Sequence, residues 1–400
     1  MHKPLDIALL VKTDADWNRN ILMGAAQYSA DFGGWNLTVP PADNNGEVFL
    51  PDNWNGDGII CRITSEPLET SVISKGIPAV NISWLNCATS KIPRVNSDEK
   101  GCAKLAARFL KEKQFDHFAY IGFPPWKNYS DRFEETFAEH LGKRGQKLHK
   151  FKLTSQRSSH GIDDASLSQW VQQLPKPVAI AVWDSIVGQI LVKNCLAKQI
   201  KIPHSVAILC IEHDPLWSAL APIPISNIDQ DPWRVGYTAA KVLHHMIKGG
   251  DTPKQPVLID PLSIVQRKST EASAVKDPIL DKAIKYIYGN SKHGITVKDL
   301  LDHTGISRRA LETKFKHELD CSPAVFIRRI QLQAVAKLLR TTKLTIASIA
   351  NQTGFAYPEV LMRAFKREFG ITPMQFRGAG PAETIGRSSN DETLRISTGK

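Results

Sequence analysis

Residues 296–326 and 345–376 repeat one pattern, TVKDLLDHTGISRRALETKFKHELDCSPAVF and TIASIANQTGFAYPEVLMRAFKREFGITPMQF. In each copy a short helical segment leads to Thr-Gly, and a longer segment follows with apolar residues at helical spacing. Gly305 and Gly354 stand where the first helix must end in a left-handed residue, which glycine adopts without steric cost. Pro358 fits the first turn of the next helix, where no N–H is needed. The pattern predicts two helix-turn-helix units on one chain.

The basic residues are concentrated in the same region. Residues 276–377 contain 18 Lys or Arg against 9 Asp or Glu, whereas residues 1–275 contain 30 against 28. Most of the formal net charge of +11 therefore lies near the C-terminus. A basic domain attached to a nearly neutral body is typical of proteins that neutralise phosphates and release counterions on binding a nucleic acid. Together with the repeat, it predicts two helices presented to one DNA duplex.

Helical geometry predicts which side chains of each second helix face the DNA. With Leu311 and Phe315, and in the second unit Leu361 and Phe365, turned inward, the opposite faces are polar. The candidates are Arg308, Arg309, Glu312, Thr313 and Lys316 in the first unit and Glu359, Met362, Arg363 and Lys366 in the second. Arginine suits guanine, glutamate suits cytosine N4, and the Thr or Met methyl suits thymine. A solvated face or a phosphate contact is the alternative for each, and Arg308 is expected to be phosphate-binding or structural.

The C-terminal segment resembles the DNA-binding domain of the AraC/XylS family. The matching runs within residues 346–377 are IASIA, TGF, RAFKR, FGITP and QFR. The resemblance implies two helix-turn-helix subdomains joined by a long helix, which we expect at residues 326–340. Tyr357 departs from the Ser or Asp that usually caps the second recognition helix in this family.

The first 270 residues alternate short apolar runs with amphipathic helical stretches. Strands are predicted at residues 7–11, 37–39, 58–61, 79–82, 118–122, 179–182 and 206–211. Continuous apolar strands separated by helices indicate parallel sheets covered on both faces, and these strands are too many for one small sheet. We therefore predict an α/β sensor of two lobes with a cleft, followed by an all-α domain with two helix-turn-helix units. Ligands of such folds bind at the carboxyl ends of strands.

Four segments resemble the regulatory core of the LacI family, which is built like periplasmic sugar-binding proteins. They are residues 97–110, 181–185, 202–214 and 234–240. Val265–Thr270 resembles the strand that ends this core, and the family's N-terminal DNA-binding headpiece is expected to be absent. The predicted organisation is a sugar-sensing domain at residues 1–272, an AraC-type DNA-binding domain at 277–379 and a disordered tail at 380–400.

Polar and aromatic residues follow the predicted strands where an α/β cleft presents its ligand groups. The candidates are Asp14, Trp17, Asn18, Asp184, Glu212, Asp229 and Gln230. Carboxylates and amides suit sugar hydroxyls, and an aromatic ring suits the C–H face of a sugar.

The LacI resemblance bears on four residues of this region. It implies that Asp184 and Glu212 contact sugar hydroxyls, although Glu212 replaces the usual Asp and Trp183 a common Asn. It also implies a sugar contact for Arg132, which lies one residue out of register. A helix cap for Asp14, a core position for Trp183 and a surface position for Arg132 stay open as alternatives.

Several function classes find no support in the sequence. It has no Gly-rich phosphate loop between strand and helix, no nucleophile elbow and no His or Cys cluster at metal-ligand spacing. No catalytic residue, metal or cofactor is therefore predicted, and we expect no enzyme. The longest apolar stretches are shorter than a membrane span, and the 6 cysteines show no repeated spacing, which is typical of a reduced cytoplasmic protein.

The two resemblances together imply a sugar-responsive transcription regulator, similar to activators of pentose-catabolic operons. The expected partners are double-stranded operator DNA, a small neutral sugar such as D-xylose, a second copy in a homodimer and, for an activator, RNA polymerase. A ligand-responsive repressor and a cytoplasmic sugar-binding module remain as alternatives, because regulatory sign depends on where the operator lies.

Overall fold

A computed structural model gives the architecture of the chain. It describes residues 3–42, 48–51, 53–84, 92–123, 132–141, 148–151, 162–212, 214–271, 277–290, 294–319, 321–369 and 372–378. The predicted tail at 380–400 and most of the segment that links the two parts of the chain lie outside these residues.

The α/β elements come first and the chain is helical from Pro278 onward. The strands are β1 (Asp6–Leu10), β2 (Asn36–Thr38), β3 (Gly58–Cys61), β4 (Ala79–Asn81), β5 (Val95–Ser97), β6 (His117–Ile121), β7 (His149–Lys150), β8 (Val178–Val182), β9 (Val206–Cys210), β10 (Ser226–Asp229), β11 (Val257–Ile259) and β12 (Ser263–Val265). The helices are α1 (Asp16–Phe32), α2 (Glu66–Ser74), α3 (Glu99–Glu112), α4 (Arg132–Leu141), α5 (Asp164–Gln173), α6 (Ser185–Ala197), α7 (Pro215–Leu220), α8 (Pro232–Ile247), α9 (Pro278–Asn290), α10 (Val297–Thr304), α11 (Arg308–Leu319), α12 (Pro323–Thr341), α13 (Ile346–Gln352), α14 (Pro358–Phe369) and α15 (Pro373–Gly378).

The sensor has two lobes, each built on its own sheet, as predicted. The first sheet has the order β2-β1-β3-β4, and the second has the order β12-β10-β9-β8-β6-β7. All their pairs are parallel except β10 with β12. The central strands β3, β8 and β9 are buried along their whole length, because apolar clusters cover both faces of each sheet.

The chain crosses between the lobes three times. It leaves the first lobe after β5, returns between β10 and α8, and leaves again between β11 and β12. Strands β5 and β11 pair in parallel, which holds the first and third crossings side by side. Residues at these crossings must respond to any change in the angle between the lobes.

The C-terminal part contains two helix-turn-helix units joined by a long helix, as predicted. Helices α10 and α11 form the first unit, α13 and α14 the second, and α12 connects them while contributing to both apolar cores. Gly305 and Gly354 are left-handed, with φ of 73° and 75°. Helix α14 begins at Pro358, and α12 begins at Pro323, three residues before the expected start. Among the described helices, none has both the length and the apolar character needed to cross a bilayer.

The predicted strand at Val265–Thr270 is wrong. Strand β12 ends at Val265, and residues 268–270 form a single 3₁₀ turn. The hydroxyl groups of this turn are used inside the core instead, where Ser269 Oγ donates to Ile208 O at 2.6 Å and the Ser226 and Thr270 hydroxyls lie 2.7 Å apart. Local hydroxyl bonding of this kind competes with a strand ladder.

Helices α1 and α8 approach each other at two glycines. A Cβ on Gly24 would lie 1.9 Å from Trp233 O, and one on Gly236 would lie 1.9 Å from Ile21 O. These distances are far below a van der Waals contact, so the helices must separate to admit a methyl group.

We expect Gly236→Ala to destabilise the sensor by about 1–3 kcal/mol or more, because overpacking at a helix contact displaces backbone. The matched control is Gly289→Ala in α9, where an added Cβ meets nothing within 4 Å. That control should be neutral or stabilising by about 0.5–1 kcal/mol. Thermal unfolding followed by circular dichroism compares them, and equal melting temperatures for both variants would contradict the close contact.

Candidate ligand cleft and DNA-binding surface

A cavity opens between the two lobes at the carboxyl ends of their strands. Its lining comes from the ends of both sheets and from the crossings, namely Trp17, Arg62, Ser83, Trp84, Asn96, Ser97, Glu99, Phe123, Trp183, Glu212 and Gln230. It offers about 80 Å³ to the centres of water-sized molecules. One water molecule needs roughly 10–15 Å³ of such a volume, so the cavity has room for a small ligand of several heavy atoms.

Aromatic rings form much of the cavity wall. Phe123 and Trp183 meet edge to face with ring centroids 5.4 Å apart. The Trp17 indole N–H is buried and has no hydrogen-bond partner in the part of the chain that the structure describes. A buried indole N–H without an acceptor is unfavourable, so an acceptor atom on a ligand would satisfy it. Trp84 carries the Arg132 guanidinium over its ring at 4.5 Å from the centroid.

A polar relay lies beside Trp17. Arg62 Nη1 donates to Asn18 Oδ1 at 3.2 Å, and Asn18 Nδ2 donates to Asp14 Oδ1 at 3.0 Å. The Arg62 guanidinium also lies 5.2 Å from the centroid of the Trp17 ring. Burial lowers the pKa of Arg62, and the charge of Glu212 opposes this shift. The relay therefore holds one guanidinium in the cavity wall in a fixed orientation.

Glu212 is a cavity carboxylate with a shifted pKa. Burial, followed by the negative charge of Asp184, raises its pKa to about 7, while Arg62 acts in the opposite direction. The group consequently changes charge near neutral pH, and its oxygens act as acceptors above that pH. Because the folded-state pKa is raised, this group favours folding below about pH 4.5, and that contribution is lost as the pH rises through about 7.

The predicted ligand residues differ in where they lie relative to the cavity. Trp17, Glu212 and Gln230 line the cavity. Asp14 and Asn18 stand behind Arg62 in the relay, and Arg132 is an exposed residue stacked on Trp84. Asp14 does not cap α1, whose N-cap residue is Ala15.

Asp184 and Asp229 have backbone roles and do not line the cavity. Asp184 caps α6 by accepting from Val187 N at 2.7 Å, so it reaches the ligand region through its charge on Glu212. Asp229 is buried and accepts from Asp231 N at 3.1 Å, which shapes the second crossing. An acid that follows a strand is a cap or turn former as readily as a ligand group.

Sequence reasoning missed seven lining residues, which are Arg62, Ser83, Trp84, Asn96, Ser97, Glu99 and Phe123. Four of them follow strands β3, β4 and β6 by one to three positions, so the strand-end rule covers them. The other three lie on β5 or at the start of α3. Strand β5 has the sequence VNS, whose polar residues conceal it from a search for apolar runs.

All nine predicted DNA-facing side chains are exposed on helices α11 and α14. In the first unit Arg308 Nε donates to Glu312 Oε1 at 2.9 Å, and Thr313 Oγ1 donates to Arg309 O at 2.8 Å. The Arg308–Glu312 pair uses groups that would otherwise be available to bases. Their contact with bases stays a prediction, as it does for the other seven.

The two units are held in a fixed relation. Gly294, at φ 71°, lies so near the turn of the second unit that its added Cβ would sit 2.5 Å from Gly354 Cα. Gln331 of α12, which is buried, donates from Nε2 to Ile295 O at 3.3 Å. Backbone-to-backbone contact leaves no side chain to adjust, so α11 and α14 are presented as one rigid body.

Comparison with protein families finds two matching models. The periplasmic binding protein-like domain matches residues 107–270, and the helix-turn-helix domain matches residues 300–379. The first range covers the second lobe together with α8 and β11 of the first lobe, and the second range covers the two helix-turn-helix units.

Proteins similar along nearly the whole chain are known. The chain is 26% identical over 381 residues to the xylose operon regulatory protein of Escherichia coli strain K12, covering 93% of this chain and 96% of that protein. It is 25% identical over 381 residues to the xylose operon regulatory protein of Haemophilus influenzae, covering 93% and 97%.

A solved structure of the xylose-binding transcription activator XylR has the same fold. The TM-score is 0.60 at 24% identity, with 95% of this chain and 99% of that chain covered. The chain therefore joins a periplasmic-binding-protein-like domain to a C-terminal helix-turn-helix domain, an arrangement in which it aligns over 93% of its length with xylose operon regulatory proteins.

Proposed function

We propose that the protein is a transcription regulator that binds operator DNA through both helix-turn-helix units and responds to a small neutral sugar in the interlobe cleft. D-xylose or a related pentose is the proposed ligand, supported by the similarity to xylose operon regulatory proteins. A homodimer that contacts RNA polymerase as an activator completes the proposal, with a repressor as the alternative.

The chemistry of the cleft supports a polar, uncharged ligand. Aromatic rings suit the C–H faces of a sugar, while Glu212, Gln230 and the Trp17 N–H offer acceptors and donors to its hydroxyls. Among the described lining residues, Arg62 is the single cation, against Glu99 and Glu212. This balance favours a neutral sugar over a sugar phosphate.

The observation that carries the proposal is the path of helix α3. Its first residue, Glu99, lines the cleft. Its last residue, Glu112, forms an ion pair with Arg329 of the connecting helix α12, and both side chains are largely buried. Lys113 follows immediately and is 1% exposed, with Nζ 4.4 Å from the centroid of the Tyr288 ring in α9. One helix therefore spans from the ligand site to the DNA-binding part.

The third crossing also reaches the helical domain. Leu262 lies between β11 and β12 and packs in the apolar core of the second helix-turn-helix unit. Its backbone N–H donates to Asp229 O at 2.8 Å, which ties it to the second crossing. Since crossings change when lobes rotate, a ligand that closes the cleft would move the DNA-binding part through α3 and Leu262 together.

The first prediction from this proposal concerns pH. Sugar hydroxyls donate to the ionised Glu212 carboxylate, so D-xylose affinity should rise as the pH increases through about 7. The expected gain from pH 6 to pH 8 is about tenfold, and Glu212→Gln should abolish this dependence while weakening binding about tenfold or more. Titration calorimetry at a series of pH values measures both effects.

Glu66→Gln is the matched control, because this exposed carboxyl at the start of α2 does not line the cavity. It should keep the pH dependence of the unaltered protein. A Glu212→Gln variant with unchanged affinity and unchanged pH dependence would exclude this site, and tighter binding of xylose 5-phosphate than of xylose would exclude the ligand class.

The second prediction concerns base recognition. In vitro selection from randomised duplexes should yield tandem direct-repeat half-sites, since each chain presents two recognition helices to successive major grooves roughly 34 Å apart. Arg309→Ala should weaken the selected duplex by about 1–3 kcal/mol and relax one base position. The neighbouring Arg308→Ala should act equally on selected and random duplexes, because Arg308 is held by Glu312. Equal losses with Arg309→Ala would make Arg309 a phosphate contact.

The third prediction concerns coupling between the sites. Arg329→Gln leaves Glu112 buried without its partner, so the docking of α3 on α12 should weaken while the cleft stays intact. Sugar affinity should then be kept, whereas the change in DNA affinity on adding sugar should fall severalfold, measured by fluorescence anisotropy with and without D-xylose. The control is Glu134→Gln, which removes the ion pair between α4 and Lys150 of β7 in the second lobe. Full sugar response in Arg329→Gln would exclude this path.

A further inference from the structure

A second pocket lies between the recognition helix α14 and the connecting helix α12. It is lined by Arg328 of α12 and by Val360, Arg363, Ala364 and Arg367 of α14. Three of its five lining residues are therefore arginines, and the other two are small or apolar. The spacing of the α14 residues places them along one side of that helix, next to the exposed Glu359, Met362 and Lys366.

The positive charge of this pocket is not balanced within the described part of the chain. None of its three arginines has a salt bridge to a carboxylate there. Arg328 Nη1 is buried and has no hydrogen-bond partner among the described residues. Burial, and then the charge of Arg367, lowers the pKa of Arg328. Buried guanidinium donors are normally satisfied, so a pocket with unmet donors and like charges indicates an absent anion.

Arg328 is also held in place. Its guanidinium lies over the Phe355 ring, 4.4 Å from the centroid, and Phe355 follows Gly354 in the turn of the second unit. Stacking on an aromatic face leaves the edge of the guanidinium plane available for hydrogen bonds to an anion. The pocket is therefore preorganised around one fixed arginine and two exposed ones.

We propose that Arg328, Arg363 and Arg367 form a binding site for one phosphate group of the operator backbone. The inference rests on the proposed DNA-binding function and adds a specific contact to it. Guanidinium groups bind phosphate oxygens in pairs of parallel N–H bonds, and three of them neutralise a phosphate and surround it. Because α12 and α14 both contribute, the phosphate fixes the angle at which α14 enters the major groove. Arg363 then anchors the helix, and Glu359, Met362 and Lys366 are left to face the bases.

The test uses the full chain and the salt dependence of binding to a random-sequence 30-base-pair duplex, followed by fluorescence anisotropy. Arg367→Ala is exposed and should fold normally, and it should reduce the slope of log K against log salt by about 1. It should weaken random and selected duplexes by the same factor. Lys285→Ala in α9 removes a cation that pairs with Asp281 and should leave the slope unchanged.

Arg328→Lys keeps the charge and the aliphatic stem but loses the planar fork, so it should weaken binding without unfolding the domain. If both arginines hold the same phosphate, the two losses of DNA affinity are not independent. The Arg328→Lys, Arg367→Ala double variant should then lose much less affinity than the product of the two single losses. Independent single effects that multiply, or an unchanged slope in Arg367→Ala, would overturn the proposal.

Inorganic phosphate distinguishes this site from the proposed function as a whole. The unaltered chain should melt at a higher temperature in sodium phosphate than in sodium chloride of equal ionic strength, and part of that increase should be lost in Arg367→Ala but kept in Lys285→Ala. If the chain bound no duplex, the proposed function would fail. A smaller phosphate-induced increase in melting temperature in Arg367→Ala would then still support a phosphate site. An equal increment in both variants would count against the pocket.

Discussion

The ion pair between Glu112 and Arg329 is the largely buried polar contact that docks helix α3 of the α/β part on helix α12 of the helical part. Burial raises the pKa of Glu112 despite the opposing charge of Arg329, so the pair does not fully compensate the loss of solvation. Burial likewise lowers the pKa of the adjacent Lys113 to about 8. Charged groups in such surroundings select one geometry more than they add stability. The interface is thus specific in its geometry and contributes little net stability. Under the proposed function, this suits a contact that ligand binding shifts.

The pH behaviour of this interface follows from the direction of those shifts. The raised pKa of Glu112 means that its contribution to folding is greatest when it is protonated and declines as the pH rises through that value. The lowered pKa of Lys113 means that burial disfavours its charged form, so this residue opposes folding most below about pH 8. Burial therefore disfavours the charged form of both groups at this interface.

The helix-turn-helix units could be predicted from sequence because their signals are local. Gly305, Gly354 and Pro358 specify backbone conformations that depend on a few neighbouring residues. The two-lobed fold followed from apolar strands such as β8 and β9. The cleft was predictable only where a side chain follows such a strand, as Glu212 does, whereas Glu99 reaches the cavity through the polar strand β5. Cavity residues that are distant in the sequence become neighbours only in the fold, so local sequence patterns do not reveal them.

The contact between Gly294 and Gly354 determines what the sensor can control. Because the two helix-turn-helix units touch through backbone, a force on either unit moves both recognition helices together. Helix α3 acts on α12 and α9, and Leu262 acts on the core of the second unit. Under the function proposed above, sugar binding would therefore act on both recognition helices together and would change the orientation of the whole DNA-binding part relative to the sensor. In the proposed dimer, that orientation would set the distance between two half-sites.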